Sequence, residues 1–304
     1  MITGPPPKKV KTRSPYRQFL KGGNGNLRQE VPVTIKDEEK IIGFEWKTID
    51  IVDIFQRIPH YNPFINAEEY YIDLDELNTL CHFVVNETIY PEGTYTGNPF
   101  IPELWQWAIY FNMFCWKHRK SSNRRYKEVF VYIPRKNGKT VAFGSVPTLY
   151  MFYVDKEKRS QNFACAADIE QASLNFSHTT YMIEQNANFL YRLRSGKVNR
   201  STRSFEHAMD GSTFKVLSSI ADTKHGLSPN FVYIDEVHAH KSSELIDVML
   251  TGTAAREQSL VLYTTTADYD KPSVCNDLYK RAKSIATGLM IDNSFLPVLY
   301  EADS

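Results

Sequence analysis

The chain has 304 residues, 42% of them hydrophobic and 23% charged, a globular composition long enough to bury a sizeable core as one large domain or two ordinary ones. Its 36 basic and 35 acidic residues leave a net charge of +1, so the overall charge announces neither nucleic acid nor a membrane, and any such contact must rest on local patches. Cys81, Cys115, Cys165 and Cys275 are too few and too scattered for a disulfide scaffold or a C-x-x-C clip, which leads us to expect free thiols in a reducing compartment.

Residues 1–30 are rich in Pro, Gly, Lys and Arg with little periodicity and read as a mobile basic arm. They lack the apolar stretch of a secretory signal, and no later run approaches the roughly 18 apolar residues of a membrane span, so a cytosolic protein with no membrane partner is expected. Residues 31–95 read as a helical extension, with "AEEYYIDLDELNTLCHFVVNETI" carrying apolar residues at helical spacing. The segment from Pro102 to His118 is apolar and aromatic almost all round, which predicts a buried helix.

Beyond the basic loop "SSNRRYK" the rhythm becomes alternating β and α. "EVFVYIP" reads as a strand, Lys139 to Tyr153 as a helix, "RSQNFACAA" as a strand and Ile169 to Asn186 as a helix. "SFEHAM" and "STFKVLSS" flank Asp210-Gly211, a good hairpin turn. "NFVYIDE", a helix around Ser243 to Thr251, "SLVLYTTTA" and a helix from Ser273 to Ala286 resume the alternation. Unbroken apolar strands of this kind belong in a mostly parallel sheet covered on both faces.

Three strand ends carry candidate chemistry. "PRKNGKT" ends in Gly138-Lys139-Thr140, the tail of a phosphate-gripping loop, although Ile133 holds the position where that loop normally begins with glycine. Between a strand and a helix, such a loop presents free backbone N–H groups and the positive end of the helix to a phosphate; Lys139 would reach the β- and γ-phosphates and the Thr140 hydroxyl would ligate Mg²⁺. "NFVYIDE" ends in adjacent acids, and in a phosphate-hydrolysing site Asp235 would support Mg²⁺ while Glu236 orients or deprotonates the attacking water. Thr264, Thr265 and Thr266 close a third strand, where their hydroxyls can lie beside the γ-phosphate or the catalytic water and report hydrolysis.

On "PRKNGKT", "GLSPNFVYIDEVHAH" and "REQSLVLYTTTAD", roughly residues 95 to 290 resemble the ATPase region of the large terminase subunit, the DNA-packaging motor of tailed double-stranded DNA bacteriophages. The resemblance implies an α/β P-loop NTPase fold of the ASCE type, with a mostly parallel central sheet flanked by helices and the helical N-terminal extension. It assigns residues 96–290 to the ATPase domain and 291–304 to the start of a linker to a nuclease domain. It implies ATP and Mg²⁺ as cofactors, with Pro134, Arg135, Lys136, Asn137, Gly138, Lys139 and Thr140 around the nucleotide. Arg135 would touch the phosphates in cis, Glu236 would be the catalytic carboxylate, and Thr264 to Thr266 would couple hydrolysis to movement. Gln106 in "WQW" would either read the adenine or cap a buried helix. The trans-acting residue of a ring motor falls on Lys224, where an arginine is expected, with Arg203, Arg200 and Arg256 also open.

The implied partners are double-stranded DNA, further copies of the chain in a ring, the portal protein and a small terminase subunit, in the cytoplasm of an infected bacterium. No later carboxylate set is available for two-metal cleavage, so no nuclease activity is expected of this chain. "KHRKSSNRRYK" and "YRLRSGKVNRSTR" are the basic stretches that can face DNA. His238 and His240 form H-x-H beside the acids, but their spacing is not that of a zinc site. The rival readings are a superfamily-2-like helicase fragment, because "DEVH" also occurs there, and a nucleotide-binding assembly scaffold that does not hydrolyse.

Overall fold

The computed structural model describes residues 51–155, 157–218, 226–266 and 272–301. The basic arm, the first part of the extension and Lys224 lie outside them. Among the described residues the elements in chain order are α1 (Ile51–Phe55), β1 (Tyr70–Ile72), α2 (Leu74–Glu87), α3 (Leu104–Cys115), β2 (Trp116–His118), β3 (Glu128–Tyr132), α4 (Val146–Tyr153), β4 (Gln161–Ala166), α5 (Ile169–Gln185), α6 (Ala187–Arg192), β5 (Ser204–Glu206), β6 (Thr213–Ser218), β7 (Pro229–Ile234), α7 (Glu244–Thr253), β8 (Leu260–Thr265), α8 (Val274–Ala286) and β9 (Phe295–Leu299).

A seven-stranded sheet runs in the order β5-β6-β4-β7-β8-β3-β9. All its pairings are parallel except β5 with β6, the hairpin around Asp210-Gly211. The hydrophobic strands have no solvent face because alternate residues enter two different cores. Val129 and Val131 of β3, Tyr233 of β7 and Leu262 of β8 join the core under α2 to α6, whereas Phe130, Val232, Ile234 and Tyr263 join the core under α7 and α8. Three layers result, and the C-terminal ends of β3, β7 and β8 share one edge of the sheet. β8 lies between the loop strand β3 and the acid strand β7, as the ASCE arrangement requires.

Several expected boundaries move for identifiable reasons. The helix expected over Pro102 to His118 stops at Cys115, because Trp116–His118 turn into an antiparallel pairing with Tyr70–Ile72. The helix expected from Lys139 opens with a π-helical turn, Thr140–Ser145, before α4. Pro147 explains the widening: it has no N–H for the carbonyl of Phe143, and its ring would crowd that carbonyl in an α-helix. In the segment read as the start of a linker, Phe295–Leu299 forms the edge strand β9, parallel to β3, with Tyr300 N donating to Tyr132 O at 2.9 Å. Pro297 is tolerated there because an edge strand has a side with no ladder to serve.

The first basic stretch is largely structural. Arg124 and Arg125 are buried; Arg124 pairs with Asp155, and Arg125 lies over the rings of Tyr70, Trp116 and Tyr126. Lys117 reaches Glu76 at 3.3 Å. All four cysteines are buried thiols outside any disulfide, and burial pushes those of Cys81 and Cys165 up to about 12, so these two are unreactive at neutral pH.

Candidate active site

The loop between β3 and the π-helical turn begins at Ile133, whose side chain is buried in the core and whose N–H donates to Thr265 O at 3.1 Å. A glycine is therefore dispensable at this position: the backbone is not left-handed, it is held by the neighbouring strand, and the sec-butyl group adds to the core. Pro134 to Gly138 are exposed. Lys136 (φ 68°) and Gly138 (φ 65°) are left-handed, the conformation that turns successive amide N–H groups inward as an anion nest. The Asn137 side chain closes the loop on Pro134 O at 3.0 Å.

Lys139 is 92% buried, and its Nζ lies 3.0 Å from Glu236 Oε1. Glu236 takes a left-handed backbone, φ 47° and ψ 56°, which no β-strand tolerates and which costs a non-glycine residue about 1–2 kcal/mol. This kink ends the strand's alternation, so two consecutive carboxylates can serve one site. Asp235 is buried and doubly held, its Oδ1 accepting from Thr264 Oγ1 at 2.8 Å and from Glu236 N at 2.9 Å. Thr264 Oγ1 also lies 3.0 Å from the Tyr233 hydroxyl, which is itself hydrogen-bonded to the Asp235 carboxylate. Burial holds the Asp235 carboxyl above its ordinary value and the Glu236 carboxylate adds to this, while Thr264 and Lys139 pull the other way.

Thr265 Oγ1 lies 3.1 Å from His238 Nδ1, and that nitrogen lies 3.2 Å from Glu236 Oε2. Sequence reasoning treated His238 only as a metal decoy; its part in the site depends on the 3₁₀ turn Val237–Ala239, which nothing in "DEVHAH" announces. Among the described residues no group of three His, Cys, Asp or Glu side chains is arranged to hold a metal, and His240 is buried with its imidazole pushed down by that burial. Thr266 is buried at the end of the same strand.

Gln106 is buried at the first turn of α3, where its Oε1 accepts from Glu103 N at 2.9 Å, completing a capping box. One turn on, Tyr110 donates its hydroxyl to Ala142 O in the π-helical turn, so this face of α3 looks toward the helix that follows Gly138-Lys139-Thr140. Of the open trans-acting candidates, Arg256 is spent inside the chain, donating to Ser228 O and Oγ, Lys158 O and Arg159 O and pairing with Glu157, at the sheet edge opposite the loop. Arg200 forms a two-pronged pair with Glu184 at 2.7 and 2.8 Å. Arg203 is half-exposed with φ 47°.

The donor set suits a magnesium nucleotide: an amide nest, a buried cation, a half-buried hydroxyl at Thr140 and a desolvated carboxylate whose burial favours a counter-cation. The family model of the terminase large subunit, ATPase domain, matches residues 104–284. The chain belongs to the terminase large-subunit ATPase family. Among solved structures, the large terminase of bacteriophage HK97 resembles it with a TM-score of 0.61 at 19% identity, over 74% of this chain and 43% of that one, a likeness of fold. The ATPase domain of the large terminase of Thermus phage P74-26 aligns more distantly, with a TM-score of 0.43 at 18% identity over 56% of this chain and 67% of its own. Protein YmfN of Escherichia coli (strain K12) is 32% identical over 78 residues, 26% of this chain and 17% of that protein. The chain thus spans less than half the length of both YmfN and the HK97 terminase. No helix among the described residues is long and apolar enough to cross a membrane.

Proposed function

We propose that the chain hydrolyses Mg·ATP and that, as a ring of copies docked on a portal protein and served by a small terminase subunit, it uses that reaction to drive double-stranded DNA into a viral procapsid. The observation that carries the reading is the 3.0 Å contact between Lys139 and Glu236, the cation of a phosphate loop and the kinked carboxylate of an acid strand, in a chain of the terminase ATPase family. Without nucleotide they neutralise each other.

On binding, Lys139 transfers its charge from Glu236 to the β- and γ-phosphates, and the amides of Lys136 to Thr140 receive the remaining phosphate oxygens. Arg135, exposed on the loop, supplies a further cation in cis. Thr140 and Asp235 are the residues that would hold Mg²⁺, whose contribution when bound is to neutralise charge on the phosphate oxygens. Glu236, released from Lys139, orients the attacking water and accepts its proton. The coupling role falls to Thr264, already bonded to Asp235, to Thr265, bonded to His238, and to Thr266 at the strand's end. Gln106 would read a base only through its Nε2 protons, since Oε1 is committed to the helix cap. Arg203 is the described cation best suited to act in trans, because Arg256 and Arg200 already hold carboxylates.

Phosphate release from ATP by the full chain, with and without Mg²⁺, tests the reading. Hydrolysis that needs Mg²⁺ and is lost in Glu236→Gln supports it; turnover by Glu236→Gln equal to that of the unaltered chain would refute it.

A further inference from the structure

The two carboxylate oxygens of Glu236 face different groups, Oε1 in a hydrogen bond and Oε2 with none. Oε1 faces the Lys139 ammonium at 3.0 Å, and Oε2 faces His238 Nδ1 at 3.2 Å. The imidazole is itself fixed. Its backbone N–H lies 3.3 Å and its Nδ1 3.1 Å from Thr265 Oγ1, whose own proton points to Thr266 O at 3.1 Å. With its proton directed to Thr266 O, the Thr265 hydroxyl would accept from an Nδ1–H tautomer of His238, whose ring nitrogen also lies 3.2 Å from Glu236 Oε2. Thr265 also ties the loop: its carbonyl accepts from Ile133 N at 3.1 Å, the residue at which the phosphate loop starts. Acid strand, coupling strand and loop root therefore meet at one threonine.

We infer that His238 is a positioning residue for Glu236: it anchors Oε2, so that when Lys139 leaves for a phosphate the carboxylate keeps its place and Oε1 becomes the oxygen that faces water. This rests on the ATPase reading above. It follows from the arithmetic of the contacts. Lys139 cannot serve a phosphate and Glu236 at full strength together, and a carboxylate with a left-handed backbone, deprived of its cation, has several solvated rotamers open to it. With the imidazole 3.2 Å from Oε2 on the side of β8 and Oε2 otherwise without a hydrogen-bond partner, a small rotation that closes this approach into a hydrogen bond favours one of these rotamers. The same contact transmits in the other direction. A change in the charge at Glu236 alters which acceptor receives the Nδ1 proton, and so the grip on Thr265, which is how hydrolysis reaches the coupling strand.

The test compares His238→Leu and His238→Asn in the full chain, reading kcat and KM for ATP hydrolysis, affinity for a non-hydrolysable ATP analogue, and thermal midpoint. Asparagine can place an amide donor near the position of Nδ1; leucine cannot. His238→Leu is expected to lower kcat by about ten- to a hundredfold, the scale of misplacing a catalytic group by about 1 Å, with analogue affinity within about twofold of the original. His238→Asn is expected to recover most of the loss. An unchanged kcat in the leucine variant overturns the inference, and so does an equal loss in both variants accompanied by an equal loss of affinity, which marks a merely structural residue. If the unaltered chain releases no phosphate, the ATPase reading fails separately. The link is then judged by a cycle of His238→Leu with Glu236→Gln on the thermal midpoint, where additive shifts overturn it and non-additive shifts sustain it.

Discussion

Lys139 and Glu236 are 97 residues apart in the chain and 3.0 Å apart in the fold, each supplying the charge that the other's burial requires. The pairing couples the loop to the acid strand before any nucleotide arrives, and it makes the two residues separable by experiment. Lys139→Ala should weaken ATP binding by on the order of 10- to 100-fold, the worth of the charge-assisted bonds removed, in a titration with labelled nucleotide. Glu236→Ala should bind at least as well as the unaltered chain, because Lys139 then has no competitor for the phosphates. Equal losses of binding in both would mean that the roles are misassigned.

Asp235 is held above its ordinary carboxyl value chiefly by burial. A carboxyl whose proton is favoured in the folded state adds most stability below its unfolded value and loses it as pH rises through the folded value. Asp235→Asn removes that slope while leaving an oxygen for Thr264 and the Glu236 N–H. Its thermal midpoint without Mg²⁺ should therefore exceed that of the unaltered chain near neutral pH, and the gap should close as pH falls toward about 4. A gap that widens on acidification would contradict the burial argument.

Gly144 sits in the π-helical turn where a Cβ would collide with Asn175 Nδ2 and meet the Tyr233 ring at 2.8 Å. Both neighbours are buried, so neither can simply swing away. Gly144→Ala should cost about 1–3 kcal/mol of stability in denaturant unfolding. Tyr233 also touches Thr264, so nucleotide affinity should fall in the same variant.

Arg256 and Arg203 should behave oppositely. Arg256→Ala breaks a clamp joining the starts of β4, β7 and β8 and should cost about 2–4 kcal/mol without changing ATP affinity. Arg203→Ala should shift stability within about 0.5 kcal/mol and bind ATP normally, its effect confined to turnover in the assembled ring. Stability measured by urea unfolding, beside turnover at rising protein concentration, distinguishes the two.

The parallel sheet, the order of its helices, the strand-to-helix placement of Gly-Lys-Thr and the paired acids at a strand end were all legible in the sequence, because unbroken apolar strands, Gly-Lys-Thr and Asp-Glu are local patterns. The π-helical opening had its signal in Pro147, five residues after Ala142 and inside an otherwise helical run. The strand pairing of Trp116–His118 had none, since it depends on Tyr70–Ile72 arriving opposite. For the same reason Arg124 and Arg125 looked like surface charge: their partners Asp155, Tyr70 and Trp116 are distant in the chain.

By itself the sequence determined which side chains are available and on which strand end each one sits, since apolar runs and turn residues fix local conformation. Only the tertiary structure decided that Lys139 faces Oε1 of Glu236, that His238 faces Oε2, and that Arg256 is consumed at the far edge of the sheet. Those outcomes follow from strand order and from one left-handed residue, and both are set by packing between segments about which the local sequence carries no information.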